Sequence, residues 1–150
     1  MRVSVIGGSR VDEATAERAE RLGTRLAERG HTVVCGGYGG VMEAVCRGAQ
    51  SAGGRTVGIL KGTDHREGND YLDTAIATGL GNARNVLVVV NGDAVVAVDG
   101  GTGTLSELGH ALDAGKPVAG LDSHDLSGFA GFEPCESVAS AVESVERRVE

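Results

Sequence analysis

The sequence predicts a single α/β domain, an open and mostly parallel sheet with helices on both faces. Three observations predict it. Short β-branched runs alternate with longer segments of helical period, the rhythm of strand–helix–strand units. Of the 150 residues, 25 are Gly, and many of them sit at the joints between those segments. There is no Trp, with only 2 Phe and 2 Tyr, so Val, Leu, Ile and Ala must fill the core. Small side chains and tight Gly turns suit packed α/β layers better than an aromatic-rich β-sandwich. The length corresponds to one domain, able to bury roughly two thirds of its unfolded surface.

Each element has a local reason. Val3 to Ile6 is short, apolar and β-rich, and it stops at Gly7-Gly8. Asp12 is a suitable helix N-cap, Ala19, Leu22 and Leu26 recur at helical spacing, and Gly30 ends the helix. His31 to Cys35 reads as the second strand, running into Gly36 to Gly40. Val41 to Ala52 reads as a helix closed by Gly53-Gly54, and Arg55 to Leu60 as the third strand. Residues 61–73 form a polar, exposed loop, and Ala75 to Thr78 a short fourth strand. The run Val86 to Val90 has strand propensity, and with Ala94 to Val98 it could form a hairpin. The alternating rhythm instead asks for a helix over 81–91 and a strand over 94–98, and propensity is the weaker guide. Leu105 to Ala114 is the next helix, stopped by Gly115, and Pro117 to Leu121 the next strand. Residues 122–134 read as loop with some extended structure, and an amphipathic helix over Glu136 to Val149 closes the domain.

The balance of charge narrows the function. A formal net charge of −7 argues against a basic surface tracking DNA or RNA. It leaves room for a small anion, because backbone amides bind phosphate without Lys. Cys35, Cys46 and Cys135 are odd in number and lack CxxC spacing, so neither a disulfide framework nor a zinc site is expected. The four His show no ligand spacing, and no metal site is expected. No signal region or 18-residue apolar stretch occurs. A cytoplasmic protein with no membrane or nucleic-acid partner is the expectation.

Three glycine clusters carry the chemistry: Gly7-Gly8-Ser9-Arg10, Gly36 to Gly40, and Gly100 to Gly103. Each follows a predicted strand and precedes a helix, so all three fall at the carboxyl edge of a parallel sheet, where ligands bind. Gly lets amides approach a ligand closely, and a helix N-terminus adds unpaired N–H donors and about half a positive charge. Together these features predict an anion cradle, most simply for phosphate. No Gly-Lys-Ser/Thr and no GxGxxG is present, so a standard ATP or dinucleotide site is not supported. Two readings compete for Glu107. With Thr104 it matches a capping box; alternatively its carboxylate lies one turn from the phosphate, to hold a water or stabilise positive charge on a sugar. Arg84 is either a surface arginine or a forked donor to an anion.

Gly36-Gly37-Tyr38-Gly39-Gly40-Val41-Met42 resembles the GGxxGxM turn of the LOG-like superfamily. Gly100-Gly101-Thr102-Gly103-Thr104-Leu105-Ser106-Glu107 resembles its GGxGTxxE signature, and Ala83-Arg84-Asn85 its arginine-bearing helix. The resemblance spans nearly the whole chain, in order. It implies a Rossmann-like fold and a homo-oligomer, a dimer or tetramer, that binds a small phosphorylated nucleotide or nucleotide-like ligand and requires no cofactor. The ligand set it implies is Gly8, Ser9, Arg10, Gly37, Gly39, Gly40, Met42, Arg84, Asn85, Gly100, Gly101, Thr102, Gly103, Thr104 and Glu107. Two branches are relevant. One resembles molybdenum-cofactor carriers, which bind a phosphorylated pterin. The other contains the cytokinin-activating phosphoribohydrolases, N-glycosidases of nucleoside 5′-monophosphates, in which the residues matching Arg84 and Glu107 are the catalytic pair. Asp99 stands where the hydrolases typically have Pro, and Asn85 where they typically have Lys, so the wording is closer to the carrier branch. The lysine-decarboxylase label given to some members does not fit: neither Lys61 nor Lys116 has the setting of a Schiff-base lysine.

Overall fold

The computed structural model describes residues 1–149. Seven strands form one sheet in the order β4-β3-β2-β1-β5-β6-β7, and every neighbouring pair is parallel. The strands are β1 (Arg2–Gly7), β2 (Thr32–Cys35), β3 (Thr56–Leu60), β4 (Thr74–Ala77), β5 (Ala94–Val98), β6 (Val118–Leu121) and β7 (Phe132–Cys135). The helices are α1 (Glu13–Glu28), α2 (Val41–Ser51), α3 (Asn85–Val90), α4 (Thr102–Asp113) and α5 (Val138–Val149). Among the described residues, no helix is long and apolar enough to cross a membrane.

Strand side chains alternate between the two faces. On β5, Ala94, Val96 and Val98 pack into a core with α1, α2 and α5, while Val95 and Ala97 join α3 and α4 on the other face. All five are fully buried, as a central parallel strand covered on both sides requires. Asp12 caps α1 by accepting from the Thr15 amide at 2.8 Å. The α1–α2 pair packs closely because Gly23 lies against the Val45 carbonyl and Gly48 against the Glu20 carbonyl.

The valine run settles as the helix that the rhythm asked for. A 3₁₀ turn over Gly81–Arg84 leads into α3, and Val88 and Val89 are fully buried against the sheet. Burial outweighs the strand propensity of the run, and β5 pairs instead with β1 and β6. The Ser4 hydroxyl donates to the Val88 carbonyl at 2.6 Å, tying α3 to β1.

Two expectations need correction. The extended part of 122–134 belongs to a seventh strand, β7, whose Pro134 is tolerated because the strand lies at the sheet edge. Arg148 of α5 fixes that edge, donating to the carbonyls of Gly131 at 2.8 Å and Val118 at 3.0 Å. The fourth helix also starts earlier than expected, at Thr102, with Gly101 as N-cap. Gly100, at φ +121°, lets the chain turn straight from β5 into the helix. Thr104 is therefore inside the first turn, its side chain packed over Gly100, and the capping box with Glu107 does not form.

Candidate functional site

The strand order reverses at β1: the chain builds outward through β2, β3 and β4, then restarts at β5 on the other side. A crevice opens at such a switch point, where the turns after β1 and β5 diverge. A cleft of about 330 Å³ occupies that place. Gly7, Gly8 and Ser9 line it from the turn after β1, Tyr38 and Met42 from the β2–α2 connection, and Lys61 from the exit of β3. Asn82, Arg84 and Asn85 approach from the start of α3, and Gly101 to Thr104 with Glu107 from α4.

The α4 terminus supplies donors. Gly101 makes no side-chain cap, and the first backbone bond of the helix runs from the Leu105 amide to the Gly101 carbonyl at 3.0 Å. The amides of Thr102, Gly103 and Thr104 are thus the unspent donors of the first turn, at the positive end of the helix dipole. Asp99, just before this turn, has φ +55°, a conformation uncommon for a residue with a side chain. Such backbone often accompanies sites whose geometry matters more than local comfort.

Arg84 is buried and held in place. Its Nε donates to the Ile59 carbonyl at 2.8 Å, one terminal nitrogen to Asn85 Oδ1, and the other to the Gly36 carbonyl at 3.4 Å. Its guanidinium carbon lies 5.8 Å from the centroid of the Tyr38 ring. Three of its five N–H bonds are spent on the protein, which leaves two for a ligand. Burial pushes the guanidinium down from its ordinary value, opposed by Glu107 and Tyr38.

Glu107 is 8% exposed and lines the same cleft. Among the described residues its carboxyl makes no hydrogen bond to the protein and no ion pair within 4.0 Å. Burial pushes its pKa up to about 7, and Arg84 opposes the shift. Near neutral pH this group is able to hold a proton or accept one.

The structure brings together Gly8, Ser9, Met42, Arg84, Asn85, Gly101, Thr102, Gly103, Thr104 and Glu107. Gly37, Gly39, Gly40, Gly100 and Arg10 do not line the cleft. Gly37 and Gly40 have positive φ, and Gly40 packs on the Gly8 carbonyl, so these glycines shape the turn from behind. Arg10 points to a neighbouring groove with Glu43 and Arg47. Sequence reasoning passed over Tyr38 and missed Lys61 and Asn82 as lining residues. Position offered one signal: Tyr38 stands inside a glycine cluster, and Lys61 directly follows β3 at the same sheet edge.

Comparison with known proteins shows what the chain is similar to. Residues 1–148 match the SLOG cluster4 family. A protein of Archaeoglobus fulgidus is 48% identical over 146 residues, covering 96% of both chains. A cytokinin riboside 5′-monophosphate phosphoribohydrolase of Mycobacterium tuberculosis is 36% identical over 115 residues; the match takes in 71% of this chain and 62% of that enzyme. Among solved structures, the molybdenum cofactor binding protein of Rippkaea orientalis superposes with a TM-score of 0.92 at 34% identity, over 99% of this chain and 97% of that one. The molybdenum cofactor carrier protein of Chlamydomonas reinhardtii gives 0.88 at 32% identity, over 97% and 96% of the two chains.

Proposed function

The chain belongs to the SLOG cluster4 family, within the LOG-like superfamily, and from that premise we propose that it binds a small phosphorylated, nucleotide-like ligand in the switch-point cleft. The observation that carries this reading is the uncapped start of α4, which lines the same cleft as a fixed arginine. The amides of Thr102 to Thr104 hold the phosphate, and the two free N–H bonds of Arg84 reach its oxygens or the adjoining sugar or ring. Full-length similarity to molybdenum cofactor carriers supports a carrier role. Among the described residues the cleft lining holds no Cys or His, and such a cargo would be gripped by its phosphate and ring.

A second reading is favoured by one observation, the unpartnered Glu107 carboxyl with its pKa near 7 beside Arg84. In a nucleoside 5′-monophosphate phosphoribohydrolase, Glu107 would activate water or stabilise charge on the sugar while Arg84 holds the substrate.

Native mass spectrometry of freshly purified protein tests the carrier reading: a retained mass containing phosphate is expected, and its loss in a variant with a bulky residue at Gly103. Unchanged binding in that variant would remove the cradle. Incubation with purine and pyrimidine monophosphates tests the second reading. Release of base and ribose 5-phosphate, abolished by Glu107→Gln, would establish hydrolysis, and no release across the panel would end it.

We also propose that the protein is a homodimer joined through the α3–α4 face. Six large apolar side chains are more than a third exposed on or beside it: Ile76, Leu80, Val86, Val90, Leu105 and Phe129. Between Thr74 and Asn91 the only charged residue is Arg84, which is buried. In a chain of net charge −7, the 74–91 part of this face carries no exposed charge, so two copies can meet there without repulsion.

A further inference from the structure

The cleft contains a second cation that the cradle does not use. Lys61 follows β3, and its Nζ lies 5.3 Å from the centroid of the Tyr38 ring, within the range of a cation–π contact. Among the described residues it makes no ion pair. Arg84 lies over the same ring at 5.8 Å, so one aromatic side chain holds two like charges in place.

Tyr38 is itself anchored. Its hydroxyl accepts from the amides of Lys61 at 2.8 Å and Gly62 at 3.2 Å. The carbonyls of these two residues accept in turn from Gly81 at 3.0 Å and Gly79 at 2.8 Å, the stretch that leads into the Arg84 turn. Tyr38 is therefore a positioning residue that fixes the base of Lys61 relative to Arg84.

In the lining, Lys61 and Arg84 stand with one carboxyl, Glu107, and the Asp99 carboxylate lies against Gly8. Two cations line this one cleft in a protein that is negative as a whole. The two ends of the cleft are also apart. From the turn after β2, where Tyr38 sits, to the turn after β5, where α4 begins, is two strand spacings, or about 10 Å. Lys61 leaves the sheet one strand further out again, after β3, so a second group at that end of the cleft would meet it.

We propose that Lys61 is a specificity-determining residue that contacts a second anionic group on the ligand. The site then takes a phosphate monoester whose far end, about a nucleoside's length away, carries a carboxylate, phosphate or other oxyanion. A plain nucleoside monophosphate would fill the cradle and leave Lys61 unpaired. The inference rests on the phosphate-cradle reading and deepens it.

Adenosine 5′-monophosphate and adenylosuccinate, the same nucleotide with a dicarboxyethyl group on its exocyclic amino nitrogen, provide the probe pair. Calorimetric titration of the full chain should show adenylosuccinate binding about tenfold more tightly, a preference that weakens with salt. Lys61→Met should bring the two ligands within about twofold, chiefly by weakening adenylosuccinate, and Lys61→Arg should retain the preference. Equal affinities in the unmodified protein, or a preference that survives in Lys61→Met, would overturn this inference alone. Failure of both nucleotides to bind the unmodified protein would remove the phosphate cradle and the inference with it.

Discussion

Glu107 holds its carboxyl in a buried position where no protein hydrogen bond compensates the lost water, and that has a cost visible in the pH dependence of stability. Its folded pKa of about 7 lies above the ordinary 4.5. The native state therefore holds the proton more tightly than the unfolded state between these values. Stability from this group is fully present below pH 4.5 and is lost as pH rises through 7, by about 3 kcal/mol in all. Glu107→Gln cannot ionise, so its stability should not decline over that window. Thermal unfolding of the ligand-free protein at pH 5 and pH 8 checks this, with the variant gaining on the parent at pH 8. Parallel behaviour of the two proteins would show that the carboxyl is better solvated than its burial implies. A bound phosphate should raise the pKa further, because a like charge opposes ionisation. At this scale the sequence was legible for chemistry and not for surroundings. GGxGTxxE pointed to Glu107, yet its local spacing equally suited a cap, and only the early start of α4 decides between them. Lys61 and Tyr38 were illegible as a pair, because their meeting depends on the adjacency of β2 and β3 and on a hydroxyl–amide contact 23 residues apart in sequence.

At the scale of elements, glycine does two different jobs. Gly100 turns the chain, whereas Gly23 and Gly48 let two helices touch. The space for a Cβ at Gly48 is already filled by the backbone carbonyl of Glu20, and the Thr24 hydroxyl donates to the Gly48 carbonyl at 3.2 Å. Gly48→Ala gains up to about 1 kcal/mol of helix propensity. It must also force two backbones apart, and overpacking of this kind costs about 1–3 kcal/mol. The second effect wins because a carbonyl cannot move aside as a side chain end can. Chemical denaturation should show a net loss of stability with the m-value unchanged, and an equal or higher midpoint would mean that α1 and α2 can separate freely. Elements with a strong period were legible from sequence: α1, α2 and α5 each carry an apolar stripe, and β5 is a buried run. The valine run of α3 was decided only by the alternation of elements, since its residues favour a strand. The edge strand β7 was hardest to see, because Phe132 to Cys135 has little apolar pattern and relies on Arg148, near the far end of the helix that follows it, to fix it.

At the scale of the whole molecule, the two faces of the sheet are unequally covered. Three helices lie over one face and two over the other, where α3 is only six residues long. The thinner layer is also the one that exposes apolar side chains: Val90 is 44% exposed, Leu105 43% and Phe129 63%. Ile76 pairs in register with Ile59, whose side chain packs in the α3–α4 core, so the exposed patch continues to the β4 edge. A two-fold pairing through this face would bury that surface and bring the partner close to the rim of the cleft, since Leu105 directly follows Thr104. Sedimentation at micromolar concentrations should give twice the chain mass. Val90→Glu, placed on the exposed side of α3, should yield a monomer with an unchanged circular dichroism spectrum, because the residue contributes to no internal core. If that monomer also binds phosphate esters several-fold more weakly, the second copy completes the rim of the site; if it binds them equally, each cleft is self-sufficient and pairing serves only to cover the face. A parent protein that sediments at the chain mass at all concentrations would remove the dimer.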